Sequence, residues 1–344
     1  MEDTKNKIFY SSYSDDYSHP GDRRRFYGFL KKKNIEKSLC TNYKDADILF
    51  ITNGNNTDLS IFYKYLKNNN KKLIFELCDA YLSEPFTFNR IFRSFYKFIK
   101  RENKYFYPSQ FNLIKKICKM ADIVICASEN QKNRIMKFNK NVSVIYDFLD
   151  TEIYNNTPNH SSKKKTLNIF WEGQSNNIQE FNDVIKVLKI FNKRRKIKMH
   201  FVTDNTYMNN FKIKEKTIKY IERNFSGIEY ELFKWSIKNL NEISQNCDLA
   251  VIPCSNKNRQ MFRDKSANKL HILWKLGLPT ITSSNDAYKK SMNAIGIDMI
   301  CQTDQDWIDR LNFCCDNNKL IKKDIIKAKE FLNNNYSDEK IMKR

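Results

Sequence analysis

The stretch FRDKSANKLHILWKLGLPTITSS, residues 262–284, joins a polar segment, an apolar helix, a tight turn and a short strand. Leu270, Leu273 and Trp274 recur at the spacing of one helix face. A Gly-Leu-Pro turn ends that helix, and the β-branched run at 280–283 favours a strand. The stretch therefore predicts a helix–turn–strand unit of an α/β protein, with polar residues where the helix begins.

The same alternation of short apolar runs and helical patterns continues along the chain. Further strands are predicted at residues 7–12, 46–52, 72–77, 123–127, 142–146, 167–172, 197–203, 228–234, 249–253 and 298–301. Helical patterns lie between them, for example at 177–191 and 237–244. Most of the runs lack strict polar alternation, which is typical of strands buried on both faces of a parallel sheet. We therefore expect an α/β fold with right-handed crossovers.

A polar break, TPNHSSKKK at residues 157–165, separates two such α/β halves. Its proline, serines and lysines are typical of an interdomain linker, and a chain of 344 residues suits two domains. The predicted domains are residues 1–156 and 166–320. Residues 321–344 contain a last helical pattern, which either packs on the second domain or crosses back to the first.

The formal net charge is +22, which favours an anionic partner such as nucleic acid, an anionic membrane surface or a phosphorylated substrate. A compositional bias is the alternative explanation, because Lys, Asn and Ile are abundant throughout the chain. No apolar run has the length of a membrane span, and the N-terminus lacks the pattern of a signal peptide. Nine cysteines without a CxxC motif are interpreted as free thiols in a reducing compartment. We therefore expect a cytoplasmic protein.

Residues 88–104 form a basic amphipathic helical pattern. Its apolar residues at helical spacing are Phe88, Ile91, Phe92, Phe95, Phe98 and Ile99, and its basic residues are Arg90, Arg93, Lys97, Lys100, Arg101 and Lys104. Such a helix is able to lie on an anionic bilayer, which predicts a peripheral protein of the inner membrane face. An ordinary surface helix with a solvated charged face is the alternative.

Ligands of open α/β sheets bind beyond the carboxyl ends of the strands, so site residues are expected in the loops that follow predicted strands. In the first half these are His19 and Arg23 after the first strand and Asp79 after the third. In the second half they are Gly173, Asn177, Trp235, Arg263, Asp264, Lys265, Asn268 and Lys269. The last five lie at the start of the apolar helix, where basic side chains and free N–H groups are able to hold a diphosphate. Plain turn formation, and a helix cap at Asp264, are the alternatives.

The sequence lacks the signatures of several other kinds of site. It has no GxGxxG motif and no P-loop, and with seven glycines a glycine-rich phosphate loop has little support. Its four histidines are scattered, so no metal site is predicted. No Ser-His-Asp order and no GxSxG elbow is present.

Four segments together resemble glycosyltransferases of the GT-B fold, family 4-like (glycosyl transferases group 1). They are ADIVICASENQKNRI, NVSVIYDFLDTEIY, CDLAVIPCS and KSANKLHILWKLGLPTITSSNDAY. Shorter segments, KKLIFELCDAYL, IFWEGQSNN, HFVTDN and ELFKWS, also fit, and the resemblance extends over residues 71–335. It implies two Rossmann-like parallel-sheet domains facing an interdomain cleft. It also implies transfer of a sugar from a nucleotide-diphosphate donor to a glycan or lipid-linked acceptor, with retention of configuration and no metal. No cofactor is implied besides the nucleotide-sugar co-substrate, and the implied setting is surface polysaccharide biosynthesis.

The resemblance also assigns residues. In that family two carboxylates with seven residues between them flank this helix start; the first falls on Asp264 and the second on Ile272, which cannot hydrogen-bond a ribose. Lys265 and Asp264 are therefore the predicted catalytic residues, with Lys265 holding the diphosphate. The predicted donor-binding residues are Gly173, Asn177, Trp235, Arg263, Asn268 and Lys269, and the acceptor-side residues are His19, Arg23 and Asp79.

Two other functions stay open at this point. The replacement at Ile272 motivates a degenerate member of the family that binds a nucleotide-sugar without turnover. The charge permits a basic nucleic-acid-binding protein. Because the sequence has no helix-turn-helix, RRM or OB pattern, we expect no specific nucleic-acid partner.

Overall fold

The computed structural model of the protein describes residues 6–52, 71–83, 95, 96, 98, 99, 110–149, 165–208 and 214–343. The chain divides into two compact units. The first contains Met1–Phe148, Asp264–Ser266 and Asp338–Arg344, and the second contains Leu149–Arg263 and Ala267–Ser337. The chain therefore first changes unit after Phe148, whereas the predicted linker at 157–165 lies outside the described residues except for its last residue.

In the first unit, the described residues form a six-stranded parallel sheet with the order β2-β1-β3-β4-β5-β6. The strands are β1 Ile8–Ser11, β2 Leu39–Cys40, β3 Ile48–Thr52, β4 Lys72–Leu77, β5 Ile123–Cys126 and β6 Val142–Val144. The helices are α1 Pro20–Arg23, α2 Phe26–Lys33, α3 Gln110–Met120 and α4 Glu129–Ile135. The strand order reverses at β1 and β3, so the loop after β1 lies at a switch point of this sheet.

The central strands of this sheet are buried on both faces, as their apolar runs predict. On β4, Leu73, Phe75 and Leu77 are each at most 1% exposed, and Ile114 of α3 packs in the same core. Glu76 interrupts this run and is nevertheless only 2% exposed. Because burying a charge costs free energy, a carboxylate in this position needs a cation beside it.

In the second unit, the described residues form another six-stranded parallel sheet, with the order β11-β8-β7-β12-β13-β14. Its strands are β7 Leu167–Glu172, β8 Ile197–Thr203, β11 Glu229–Lys234, β12 Leu249–Ile252, β13 Thr280–Ser283 and β14 Ile300–Cys301, and β9 Thr206–Met208 pairs with β10 Lys214–Lys216 in an antiparallel hairpin. The strand order reverses between β7 and β12. Their carboxyl ends are therefore the switch point of the sheet, where ligands of such sheets bind.

The helices of the second unit alternate with its strands. They are α5 Ile185–Arg194, α6 Thr217–Asn224, α7 Ile237–Ser244, α8 Arg259–Arg263, α9 Asn268–Lys275, α10 Asp286–Asn293, α11 Asp304–Asp316 and α12 Asn318–Asn335. On α9, Leu270 and Leu273 are at most 1% exposed, which confirms the apolar face predicted from the sequence. The last helix, α13 Asp338–Met342, belongs to the first unit.

An aromatic cluster fills the core beneath β7 and β8. Phe181, Phe201 and Phe225 contact one another edge to face, with ring centroids 5.1 to 5.9 Å apart. This geometry places the positive edge of one ring against the negative face of the next. The cluster therefore gives the carboxyl end of β7 a rigid base.

The structure differs from the sequence prediction mainly between β7 and α5. The predicted strand boundaries are confirmed to within two residues. The helix predicted at 177–191 is wrong in its first part, because Ser175–Asp183 is a 3-10 helix and α5 begins at Ile185. The sequence does not predict β2, β9 or β10, which have two or three residues each and are too short for a periodic signal.

The amphipathic helix predicted at 88–104 lies largely outside the described residues. Phe95, Tyr96, Phe98 and Ile99 are described; they are helical and between 39% and 60% exposed. Contact of this segment with a membrane surface stays a prediction. No helix within the described residues is long and apolar enough to cross a membrane.

Candidate functional site

The backbone turns sharply at the carboxyl end of β7, directly at the switch point. Gly173 follows the strand with a φ of +156°, a conformation that L side chains rarely adopt. Its N–H donates to the Val202 carbonyl at 3.3 Å, and its carbonyl accepts from Thr203 Oγ1 at 2.6 Å. The turn is therefore fixed to β8 and does not depend on a ligand for its shape.

The loops that follow β7 and β12 are hydrogen-bonded to each other across the switch point. Glu180 accepts from the Ser255 N–H at 2.7 Å and from the Asn258 side chain. Asp183 accepts from the Asn256 N–H at 2.6 Å. Both carboxylates lie in the stretch predicted as regular helix, and their bonds join that stretch to the loop after β12.

Lys269, in the first turn of α9, reaches the end of β7. Its Nζ donates to the Glu172 carbonyl at 2.7 Å, lies 3.6 Å from Glu172 Oε1, and lies 5.5 Å from the centre of the Trp171 ring. A Cβ at Gly173 would lie 2.7 Å from the same ammonium. The glycine therefore leaves the space that the Lys269 ammonium occupies.

Glu172 lies at the centre of this group. It is 9% exposed, and its Oε2 accepts from Trp235 Nε1 at 3.4 Å. Burial raises the pKa of the Tyr288 hydroxyl, and the nearby negative charge of Glu172 raises that pKa further. An ammonium, a carboxylate and an indole thus meet at the switch point, and together they are able to bind phosphate, hydroxyl and aromatic groups.

The structure therefore brings together three of the predicted donor-binding residues, Gly173, Trp235 and Lys269. Arg263 is paired differently, with its Nη2 3.5 Å from the Asp286 carboxylate on the surface. Asn177 lies in the 3-10 helix, where its N–H donates to the Gln174 carbonyl at 2.9 Å. Glu172 has no predicted role from the sequence; its position before the glycine at the end of a buried strand is the signal that identifies it.

The two predicted catalytic residues belong to the first unit by their contacts. Asp264 is 3% exposed, and its carboxylate accepts from Ser83 Oγ and forms an ion pair with Arg134. Its backbone carbonyl accepts from Ser128 Oγ at 2.5 Å. The alternative that Asp264 caps the next helix is wrong, because α9 begins after Ala267 and has no side-chain cap.

In the first unit, the loop after β1 is held by a buried aspartate. Asp22 is 0% exposed and accepts from the Tyr13 N–H at 2.8 Å and from the Ser14 N–H at 3.0 Å. His19 starts α1, with its Nδ1 accepting from the Gly21 N–H at 3.0 Å and its ring stacked on Tyr13. Burial lowers the pKa of His19, so the neutral ring with its proton on Nε2 is favoured.

A charge cluster lies beneath that loop. Arg25 Nε is 2.8 Å from Glu76 Oε1, and its Nη1 is 2.5 Å from Asp147 Oδ1. Burial raises the pKa of Glu76, and the Arg25 charge opposes that shift. Of the predicted acceptor-side residues, Arg23 is half-buried and Asp79 is exposed, and their role stays a prediction. Glu76, a carboxylate inside a buried apolar strand, pairs with Arg25.

Comparison with known proteins identifies similar structures but no similar sequences. No family model and no curated protein matches this chain. HepE of Anabaena, solved in complex with UDP and glucose, has a TM-score of 0.65 at 12% identity over 98% of this chain and 97% of its own. Sucrose-phosphate synthase of Thermosynechococcus elongatus has a TM-score of 0.62 at 8% identity over 91% of this chain and 73% of its own.

A third similar structure is TarM of S. aureus, solved in complex with fondaparinux, alpha-GlcNAc-glycerol and UDP. It has a TM-score of 0.57 at 15% identity over 92% of this chain. The chain spans 56% of the length of TarM. The three similarities, with the two six-stranded parallel sheets of the described residues, establish the α/β GT-B fold of glycosyltransferases.

Proposed function

We propose that the protein is a glycosyltransferase that moves a sugar from a nucleoside-diphosphate donor to a glycan or lipid-linked acceptor. The observation that carries the proposal is the Lys269 ammonium at the switch point, 2.7 Å from the Glu172 carbonyl and beside Gly173. The GT-B fold supports it, because two of the similar structures contain UDP. Because a fold alone does not define an activity, the functional assignment depends on the residues of the site.

The chemistry requires positive charge where the nucleoside diphosphate leaves. Negative charge develops on the leaving oxygens as the bond to the sugar breaks, and a fixed cation stabilises that charge. Lys269 supplies a cation, and the first N–H groups of α9 supply the positive end of a helix dipole. Lys265 and Asp264 stay sequence predictions for the catalytic residues, as do Arg263 and Asn268 for donor binding.

The finer description follows from the resemblance in the sequence. We propose a family 4-like hexosyltransferase that retains configuration, needs no metal and uses no cofactor besides its nucleotide-sugar. Its proposed setting is surface polysaccharide biosynthesis in the cytoplasm at the inner membrane face, with residues 88–104 as the membrane contact. His19, Arg23 and Asp79 are the proposed acceptor side.

One observation favours a second candidate, a degenerate member that binds a nucleotide-sugar without transferring the sugar. Ile272, which takes the position of the second carboxylate, is 4% exposed and lies in the hydrophobic core. It therefore offers no hydrogen bond to a ligand. The two candidates share the donor site and differ only in turnover.

A binding and turnover experiment tests both candidates. The protein is titrated calorimetrically with UDP, GDP, ADP and CDP and with their glucose conjugates, and hydrolysis of each conjugate is followed over hours. Lys269→Ala is compared with Lys238→Ala, whose side chain is 78% exposed. We expect one nucleotide to bind, the Lys269 variant to bind it about tenfold more weakly or worse, and the control to match the wild type.

The outcomes separate the alternatives. Binding with release of the sugar supports the enzyme, and binding without release of the sugar over those hours supports the degenerate member. Failure of every nucleotide to bind at millimolar concentration would overturn both. Binding that is equally strong in Lys269→Ala would show that the site lies elsewhere.

A further inference from the structure

The backbone carbonyl of Glu172 and its side-chain carboxylate differ in how closely their hydrogen-bond partners approach. Its backbone carbonyl accepts from Lys269 Nζ at 2.7 Å, a full hydrogen bond. Within the described residues, its carboxylate oxygens have longer contacts, at 3.4 Å to Trp235 Nε1 and 3.6 Å to Lys269 Nζ. Since each carboxylate oxygen accepts two hydrogen bonds, acceptor positions of Glu172 are left for a ligand.

The surroundings restrict what that ligand is. The Glu172 side chain is only 10% exposed, so a ligand that covers it removes the remaining water and must replace the lost hydrogen bonds. A phosphate group placed against the carboxylate itself would be repelled by its negative charge, so a diphosphate held by Lys269 has to lie on the side of the ammonium away from that carboxylate. Two neighbouring hydroxyl groups fit: each donates to the carboxylate, and a hydroxyl oxygen accepts from the Lys269 ammonium.

The position agrees with this chemistry. Glu172 is the last residue of β7, at the switch point, where the ligands of doubly wound sheets bind. The indole N–H of Trp235 orients the carboxylate from one side, and Lys269 orients it from the other. Ile272, on the same helix as Lys269, lies in the hydrophobic core and makes no such contact.

We propose that Glu172, supported by Lys269, binds a vicinal diol and thereby selects the ligand, an inference that rests on the proposed function. A nucleotide-sugar carries vicinal diols on both its ribose and its sugar. Glu172 is thus a specificity-determining residue of the donor site. It adds a carboxylate contact that the sequence prediction assigns to no residue.

The test compares ligands that differ in one hydroxyl or in one sugar. Using the base that binds in the panel above, with UDP as the first probe, calorimetry gives Kd for UDP against 2′-deoxy-UDP and for UDP-glucose against UDP. Wild type, Glu172→Ala and Glu172→Gln are measured. Glu229→Ala is the matched control, because that carboxylate is 64% exposed and pairs with Lys198 at the sheet edge.

For at least one of the two ligand pairs, we expect the wild type and Glu229→Ala to bind one ligand with a Kd about tenfold lower, or more, than that of the other ligand. In Glu172→Ala that preference falls to within about twofold, and Glu172→Gln lies between. Loss of the preference between UDP and 2′-deoxy-UDP assigns the ribose diol. Loss of the preference between UDP-glucose and UDP assigns the sugar diol. Both results support the proposal.

Two results would overturn it. One is a wild type that does not discriminate within either pair. The other is a Glu172→Ala variant that keeps the wild-type preference in both pairs. Each of them requires that a nucleotide binds, so they are distinct from failure of the proposed function, in which the wild type binds none of the nucleotides.

Discussion

Each unit carries a cation and a carboxylate near the carboxyl end of its parallel sheet, but the two pairs differ in exposure. In the first unit, Arg25 Nε lies 2.8 Å from Glu76, and both side chains are 3% exposed. In the second unit, Lys269 Nζ lies 3.6 Å from Glu172 Oε1, with side chains 25% and 10% exposed. The first pair is closed against solvent, whereas the second has long contacts and access to the edge of the sheet.

The difference shows how similar groups take different roles. A closed pair holds backbone elements together, because removing either charge leaves the other uncompensated in a region without water. A partly exposed pair with long contacts is able to exchange those contacts for bonds to a ligand at a smaller cost. This difference is consistent with a structural role for Arg25 and Glu76 in the first unit and with the ligand-binding role that we propose for Lys269 and Glu172.

The largest expected effect is that of Arg25→Met, which breaks the closed pair. We expect a loss of about 3–5 kcal/mol in the free energy of unfolding, because Glu76 is left buried without its cation. Urea denaturation measures the loss. The control is Lys72→Met on the same strand as Glu76, whose pair with Asp122 is surface-exposed and is worth less than about 1 kcal/mol.

A double variant distinguishes the loss of the ion pair from a packing defect caused by the methionine side chain. Arg25→Met combined with Glu76→Gln removes both charges of the pair and leaves only the more exposed Asp147 without its cation. We therefore expect the double variant to recover part of the stability that the single variant loses. If Arg25→Met costs no more than Lys72→Met, the closed pair is not structural and the comparison fails.

The next effect concerns the helix that carries Lys269. His271 on α9 is buried, its Nε2 lies 2.9 Å from Ser291 Oγ, and burial lowers its pKa from 6.5 to about 3. The unfolded chain therefore binds the proton more tightly than the folded protein does. Its contribution to stability is complete above pH 6.5 and is lost as the pH falls towards 3.

We expect this one group to remove about 1.4 kcal/mol of stability per pH unit below its unfolded pKa, or about 2 kcal/mol at pH 5. Denaturation of wild type and His271→Gln at pH 7 and pH 5 measures the difference, since glutamine does not titrate. Equal losses in the two proteins would mean that His271 is not held neutral in the folded state.

A smaller effect is expected for Gly173→Ala, whose added methyl group would lie against the Lys269–Glu172 pair. The φ of +156° disfavours a side chain, and we expect a loss of about 1–2 kcal/mol in the free energy of unfolding. The new methyl also meets the Lys269 ammonium, so nucleotide affinity should fall more than stability does. Calorimetry and denaturation of the same variant compare the two losses. Gly227→Ala is the control, because its φ is +84° and a Cβ there meets no atom within 4 Å.

The smallest expected effect on stability is that of Lys269→Met. The pair is partly exposed and methionine fills the space of the lysine stem, so we expect a change below about 1 kcal/mol. This is the direct counterpart of Arg25→Met, and urea denaturation of both variants measures the contrast. A loss as large as that of Arg25→Met would place Lys269 in the architecture and remove the main argument for a ligand site.

Much of the fold is predictable from the sequence, because buried parallel strands and amphipathic helices leave local periodic signals. The strand β7 and the apolar face of α9 are predicted correctly for that reason. The 3-10 helix at Ser175–Asp183 is missed, and so are the bonds of its carboxylates to a loop more than 70 residues away. Local periodicity does not contain that information.

The candidate site is predictable in part. Gly173, Trp235 and Lys269 follow from the rule that ligands bind beyond the carboxyl ends of strands. Asp264 takes its partners, Ser83 and Arg134, from the first unit, and a comparison of motifs does not foresee them.

The helix–turn–strand units and the loops in which polar residues cluster are predictable from local patterns, since each depends on residues a few positions apart. Which charges meet depends on the tertiary structure. Lys269 and Glu172 are 97 positions apart, and Arg25 and Glu76 are 51 apart. Strand order and packing set such distances, and burial then decides whether a pair closes into the architecture or stays available to a ligand.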